Sequence, residues 1–127
     1  MPGKKAIVVD RSAGSRELIR ILLEHEGYET IGTGDDLEAV ELARKTSPDL
    51  ILIDLQWPRL DGYATVRKLR QTGCFKKLIV AMTGRDIDDD PEEITAAGFT
   101  TSISKPVVLR SLHQRLSELT QSVASES

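Results

Sequence analysis

Several polar residues stand where short apolar runs end. Asp10 and Arg11 follow "AIVV", Asp54 follows "LILI", Thr83 and Gly84 follow "LIVAM" without a break, and Lys105 with Pro106 follows "TSIS". Taken singly, each is a residue commonly found in the turn after a strand. Taken together, two acids, a hydroxyl and two cations make up the side chains of an oxyanion or phosphate site. That reading requires a fold that brings four strand ends to one edge.

The chain alternates in a way that supplies such a fold. Short β-branched or apolar runs at 5–9, 28–32, 50–53, 78–82 and 101–104 read as strands. Between and after them lie segments with helical spacing. The first, at 15–26, carries Leu18, Ile19, Leu22 and Leu23; the second, at 36–46, begins at an Asp cap and carries Leu37, Val40, Leu42 and Ala43. The third, at 62–71, carries Val66 and Leu69, and the fourth, at 88–98, has Pro91 in its first turn and stops at Gly98. The last, at 107–121, places Leu109, Leu112, Leu116 and Leu119 at steps of three and four. The continuous run "LILI" predicts a central strand buried on both faces.

Five strands alternating with five helices predict an α/β fold: a doubly wound, parallel, five-stranded sheet covered on both faces. The strand order 2-1-3-4-5, the flavodoxin-like (βα)5 arrangement, is the natural choice, although other doubly wound orders fit the same string. In that order the strands ending at Asp10, Asp54, Thr83 and Lys105 are neighbours, and their carboxyl ends form the ligand-binding edge. One domain is expected over 1–121, followed by a polar, frayed tail at 122–127.

The bulk properties restrict the function further. The chain has 127 residues, 39% of them hydrophobic and 29% charged, with a net charge of −3, which gives no general attraction to nucleic acid. No apolar run approaches a membrane span, and the apolar segment after "MPGKK" is too short for a signal peptide. The single cysteine, Cys74, cannot form an intrachain disulfide, so a cytoplasmic location is expected. His25 and His113 fall in separate helices and do not suggest a metal site. The acidic stretch "DIDDDPEE" reads as a helix start, with Asp90 as the cap before Pro91 and acids favoured by the helix dipole.

Four segments, in order, resemble the response-regulator receiver domain over nearly the whole chain. "AIVVDRSAGSRELIRILLEHEGYET" resembles the family's "VVDD", helix and "GY" opening. "PDLILIDLQWPRLDGYATVRKLR" resembles "PDLILLDxxMPxMDG", "IVAMTGR" resembles the family's apolar run ending in Thr-Ala, and "AAGFTTSISKP" resembles "AGADDYLxKP". The resemblance implies that Asp54 is the phosphoacceptor, taking a phosphoryl group from a histidine kinase or phosphotransfer protein. A carboxylate is a competent nucleophile at phosphorus, and catalysis of phosphoryl transfer is mostly placement and charge neutralisation. By the same resemblance, the Thr83 hydroxyl binds phosphoryl oxygens and Lys105 pairs with the phosphorylated carboxylate. Mg²⁺ would be held by Asp10, Asp54 and the backbone carbonyl of Gln56. Pro106 fixes the loop after Lys105, in many members through a cis bond. Pro58 and Gly62 shape the loop after Asp54, and Asp61 is expected to cap the third helix.

The sequence departs from the family at four places. Arg11 stands where the directly metal-coordinating acid belongs. At about 4 Å and an effective dielectric near 20, a unit-charge pair is worth roughly 4 kcal/mol, so the exchange of an acid for a cation weakens the Mg²⁺ site. Arg11 could point to solvent, or it could turn onto Asp10 or Asp54 and stand in for the metal. Ser102 occupies the position of a switching Tyr or Phe, Gly84 replaces a common Ala, and Trp57 replaces a Met.

The expected function is that of a single-domain receiver that signals by protein contact. The alternative is a pseudo-receiver of the same fold that is not productively phosphorylated because of Arg11. With no DNA-binding or catalytic segment read after residue 121, output is expected through binding of an unknown partner protein, through phosphate shuttling, or through a further domain. Partner contact is expected on the face of the fourth helix, fifth strand and fifth helix, where Val108 lies off the leucine stripe. Without the aromatic switch, that polar edge suggests a monomer or weak dimer.

Overall fold

The computed structural model describes residues 3–55, 59–71, 78–84 and 91–126, with backbone alone at 59–61 and 120–126. Gln56, Trp57, Pro58, Cys74 and the acidic stretch 86–90, including the expected cap Asp90, lie outside the described residues. The elements run β1 (Lys4–Val9), α1 (Ala13–His25), β2 (Tyr28–Thr33), α2 (Asp36–Thr46), β3 (Leu50–Asp54), α3 (Arg59–Gln71), β4 (Leu78–Thr83), α4 (Pro91–Ala97), β5 (Thr101–Ser104) and α5 (Leu109–Glu126). The sheet is parallel throughout, in the order β2-β1-β3-β4-β5.

Alternation along the strands sorts the apolar side chains into two layers. Ile7, Val9, Ile51, Ile53, Ile79 and Ala81 pack with Ala39, Val40 and Ala43 of α2 and with Val66 and Leu69 of α3. Ala6, Val8, Leu50, Leu52, Val80 and Met82 pack on the other face with Ile19 and Leu23 of α1 and Leu112 and Leu116 of α5. The central strand therefore has no polar face, which accounts for the unbroken run "LILI". Each Val, Leu, Ile or Met among them contributes about 1.5–3 kcal/mol when removed from water.

Local chemistry fixes the helix ends. The Ser12 side chain caps α1, accepting from the Ser15 N–H, and the Asp35 side chain caps α2, accepting from the Leu37 N–H. α2 ends at Ser47, in a left-handed conformation immediately before Pro48. Gly98 takes a positive φ of 122° and stops α4, whose first residue is Pro91.

The structure corrects several expectations. α3 begins at Arg59, so Asp61 lies in its first turn and is not its cap. Gly62 likewise sits within α3 and does not belong to the preceding loop. A side chain there would meet Leu55 Cδ2 at 2.7 Å and the Asp54 carbonyl oxygen at 3.1 Å, so glycine lets the helix start close against the end of β3. The backbone of residues 122–126, expected as a frayed tail, continues α5, since that segment contains no Gly or Pro to break it. Leu18 and Leu37, placed on apolar helix faces by their spacing, are 52% and 64% exposed. The buried stripes run instead through Ile19 and Leu23 on α1 and through Ala39, Val40 and Ala43 on α2.

Candidate functional site

Strand register assembles the site. Val9 pairs with Ile53, so the next residues, Asp10 and Asp54, leave the sheet side by side. Asp54 pairs with Met82, placing Thr83 one step beyond, and Thr83 pairs with Ser104, the residue before Lys105. Two backbone bonds lock these ends together: Leu55 N–H to the Met82 carbonyl at 2.9 Å, and Lys105 N–H to the Thr83 carbonyl at 2.7 Å. The Lys105–Pro106 peptide is cis.

The Lys105 ammonium bridges the two acids. Its Nζ lies 2.9 Å from Asp10 Oδ2 and 3.3 Å from Asp54 Oδ2. The Asp10 side chain is wholly buried, and those of Asp54 and Lys105 are only 11% and 15% exposed. A charge this enclosed requires partners. Asp10 has three donors: the Ser12 N–H to Oδ1 at 2.9 Å, the Ser15 hydroxyl to Oδ2 at 2.6 Å, and Lys105 to the same Oδ2. Burial pushes the Asp10 carboxyl up. Hydrogen bonds from Ser15, Lys105 and the Ser12 amide, together with the Lys105 charge, outweigh it and hold the carboxyl below its ordinary value.

The backbone of Asp10 is held as firmly as its side chain. Its N–H donates to the Thr33 carbonyl at 3.0 Å, and its carbonyl accepts from Arg16 Nη1 at 2.8 Å. Arg16 reaches that carbonyl over Gly32 and Gly34. A Cβ at Gly32 would meet Arg16 Cγ at 2.8 Å, and one at Gly34 would meet Arg16 Nη1 at 3.0 Å. Ser12, Ser15 and Arg16 did not emerge from the sequence as site residues. The only signal for them was a pair of serines three apart after an acid, in "DRSAGSR".

Asp10, Asp54 and Lys105 thus meet by direct contact, and Thr83 joins them through strand register. Arg11 is exposed at the surface. Gln56, the third residue assigned to a metal, lies outside the described residues. The resemblance assigns Mg²⁺ to this position, and the donor chemistry here can be tested against that ion. Two carboxylate oxygens converge on one cation, the Lys105 ammonium, which is the arrangement a small hard cation also requires. Among the described residues there is no cluster of three or more His, Cys, Asp or Glu side chains. The pair fits Mg²⁺, which commonly binds through one or two carboxylates and retains waters, but at the low end of its ligand number.

Comparison with known proteins agrees with this geometry. Residues 6–117 match the model of the response regulator receiver domain. The polar-differentiation response regulator DivK of Brucella anthropi is 36% identical over 105 residues, which are 82% of this chain and 85% of that protein. Among solved structures, the chemotaxis protein CheY4 of Vibrio cholerae superposes with a TM-score of 0.83 at 27% identity, covering 93% of this chain and 99% of that one. A CheY-like receiver domain from Methylobacillus flagellatus gives a TM-score of 0.79 at 25% identity, covering 91% and 98%. An acid pair bridged by lysine at the carboxyl edge of a 2-1-3-4-5 sheet, and a family match that spans nearly the whole sheet, lead to one conclusion: the chain belongs to the response-regulator receiver-domain family.

Proposed function

We propose that this receiver domain accepts a phosphoryl group on Asp54 from a phosphohistidine, carried by a histidine kinase or a phosphotransfer protein, and signals by contact with another protein. The observation that carries this reading is the Lys105 ammonium, 3.3 Å from Asp54 Oδ2 and anchored at 2.9 Å to Asp10. An Asp54 oxygen forms the new bond to phosphorus as the phosphorus–nitrogen bond of the donor breaks, and the donor imidazole leaves. Negative charge on the phosphoryl oxygens is met by Lys105 from the end of β5 and by the Thr83 hydroxyl from the end of β4. Asp10 does not attack. Three donors engage its carboxylate, one of them the Lys105 ammonium, and it serves to hold Lys105.

Asp10, Asp54 and the Gln56 carbonyl would hold Mg²⁺, which when bound supplies further positive charge for the phosphoryl oxygens. Arg11 weakens that site by removing an acid and adding a cation beside it. The reaction modifies the domain itself, so its role is signalling and not turnover of a metabolite. A reducing, cytoplasmic setting suits the single cysteine. The pseudo-receiver reading rests on Arg11 alone. The intact contact of Lys105 with both acids favours the accepting role.

The test is incubation with acetyl phosphate, with and without Mg²⁺, followed by intact-mass measurement. The wild-type chain should gain one phosphoryl group and Asp54→Asn none. Equal gain by both proteins would overturn the assignment.

A further inference from the structure

We infer that the Ser15 hydroxyl is a positioning residue of this site: it shares Asp10 Oδ2 with Lys105, and through that oxygen sets where the ammonium stands relative to Asp54. The inference rests on the phosphoryl-accepting reading of Asp54. Ser15 Oγ donates to Asp10 Oδ2 at 2.6 Å, Lys105 Nζ approaches the same oxygen at 2.9 Å, and Asp54 Oδ2 lies 3.3 Å from that ammonium. The three contacts form one chain from the first turn of α1 to the acceptor carboxylate.

Ser15 is itself fixed. Its N–H donates to the Ser12 hydroxyl at 3.3 Å within the α1 cap, and the Ser12 N–H holds the other Asp10 oxygen at 2.9 Å. The hydroxyl therefore acts on Asp10 from a helix turn already tied to the same loop. With two donors on Oδ2, neither takes the full charge of the carboxylate. Without Ser15, Lys105 is the one donor left on Oδ2, with the Ser12 N–H on Oδ1. The ammonium is then drawn toward Asp10 and away from Asp54, where charge builds on the phosphoryl oxygens. Ser15 also offsets the loss of an acid at Arg11, because it lets one lysine serve both remaining carboxylates.

The experiment compares the full chain with Ser15→Ala and Ser15→Thr. Alanine is a strong helix former, so α1 is retained, and threonine restores the hydroxyl. Labelling by acetyl phosphate is followed across donor concentrations. In the unlabelled proteins, the nitrogen resonance of the Lys105 ammonium is recorded by NMR. Ser15→Ala should lower the maximal labelling rate roughly three- to tenfold, with the half-saturating donor concentration unchanged, and should shift the Lys105 resonance. Ser15→Thr should return both toward wild type. A wild-type rate and an unmoved Lys105 signal in Ser15→Ala would overturn the inference, as would equal losses in the two variants. If instead labelling survives in Asp54→Asn, the acceptor assignment fails. The Lys105 resonance, which needs no phosphoryl group, then decides alone whether Ser15 positions it.

Discussion

The body of β3 and its last residue are built on different physics. Leu50, Ile51, Leu52 and Ile53 are wholly buried and held by apolar packing on both faces. That stabilisation is non-directional and scales with area, so side chains of similar volume can substitute for one another. One residue further on, Asp54 and its neighbour Asp10 are nearly as enclosed, yet they are held by individual contacts of 2.6–3.3 Å. There the identity and angle of each donor matter, and a change of one atom redistributes charge. The strand supplies rigidity, and its end converts that rigidity into placement of charges.

The comparison can be broken most forcefully in the body of the strand. Leu50→Ala should destabilise the domain by about 2–5 kcal/mol, read from urea denaturation, through lost burial and a residual cavity. Labelling per folded molecule should remain as in wild type. A loss of labelling in the folded fraction would show that packing and placement are not separable. Lys105→Ala should do the reverse. It should lower stability by about 2 kcal/mol, less than the 3–5 typical of a fully buried pair because the lysine is partly exposed. It should slow acetyl phosphate labelling by about a hundredfold.

Arg11→Asp sharpens the charge argument. It should tighten Mg²⁺ binding by roughly tenfold, titrated against the fluorescence of Trp57, the chain's single tryptophan. Equal affinities in the two proteins would mean that the Arg11 charge does not reach the site. The smallest effect is on acid stability. The Asp10 carboxyl is held below its ordinary value, so its contribution is present above the unfolded carboxylate range and is lost as pH falls through the folded value. Melting temperature should therefore fall more steeply on acidification in wild type than in Asp10→Asn. Parallel curves would assign the acid loss to other groups.

The same division can be followed along β5 to the face where partner contact is expected. Val108, just before α5, is 52% exposed, as its place off the leucine stripe suggested. It borders a cavity of about 650 Å³ lined by Ile103, Lys105, Pro106 and Arg115, among others. Lys105 thus belongs both to the acid pair and to the wall of that cavity.

The sequence by itself determined the class of fold and the list of candidate groups. Apolar runs of strand length, separated by helical spacing, admit few architectures, and polar residues that end those runs must emerge at one edge of a parallel sheet. The tertiary structure decided which groups touch. The bond from Ser15 to Asp10 spans a strand-to-helix turn that no sequence period describes, and the approach of Lys105 to Asp10 joins residues 95 apart. The structure also decided which leucines are covered. Leu18 and Leu37 lie at spacings that fit an apolar face, but burial depends on where each helix meets the sheet, and both stand outside that contact. Periodicity is a property of one element, whereas donor sharing and burial are properties of several elements packed together.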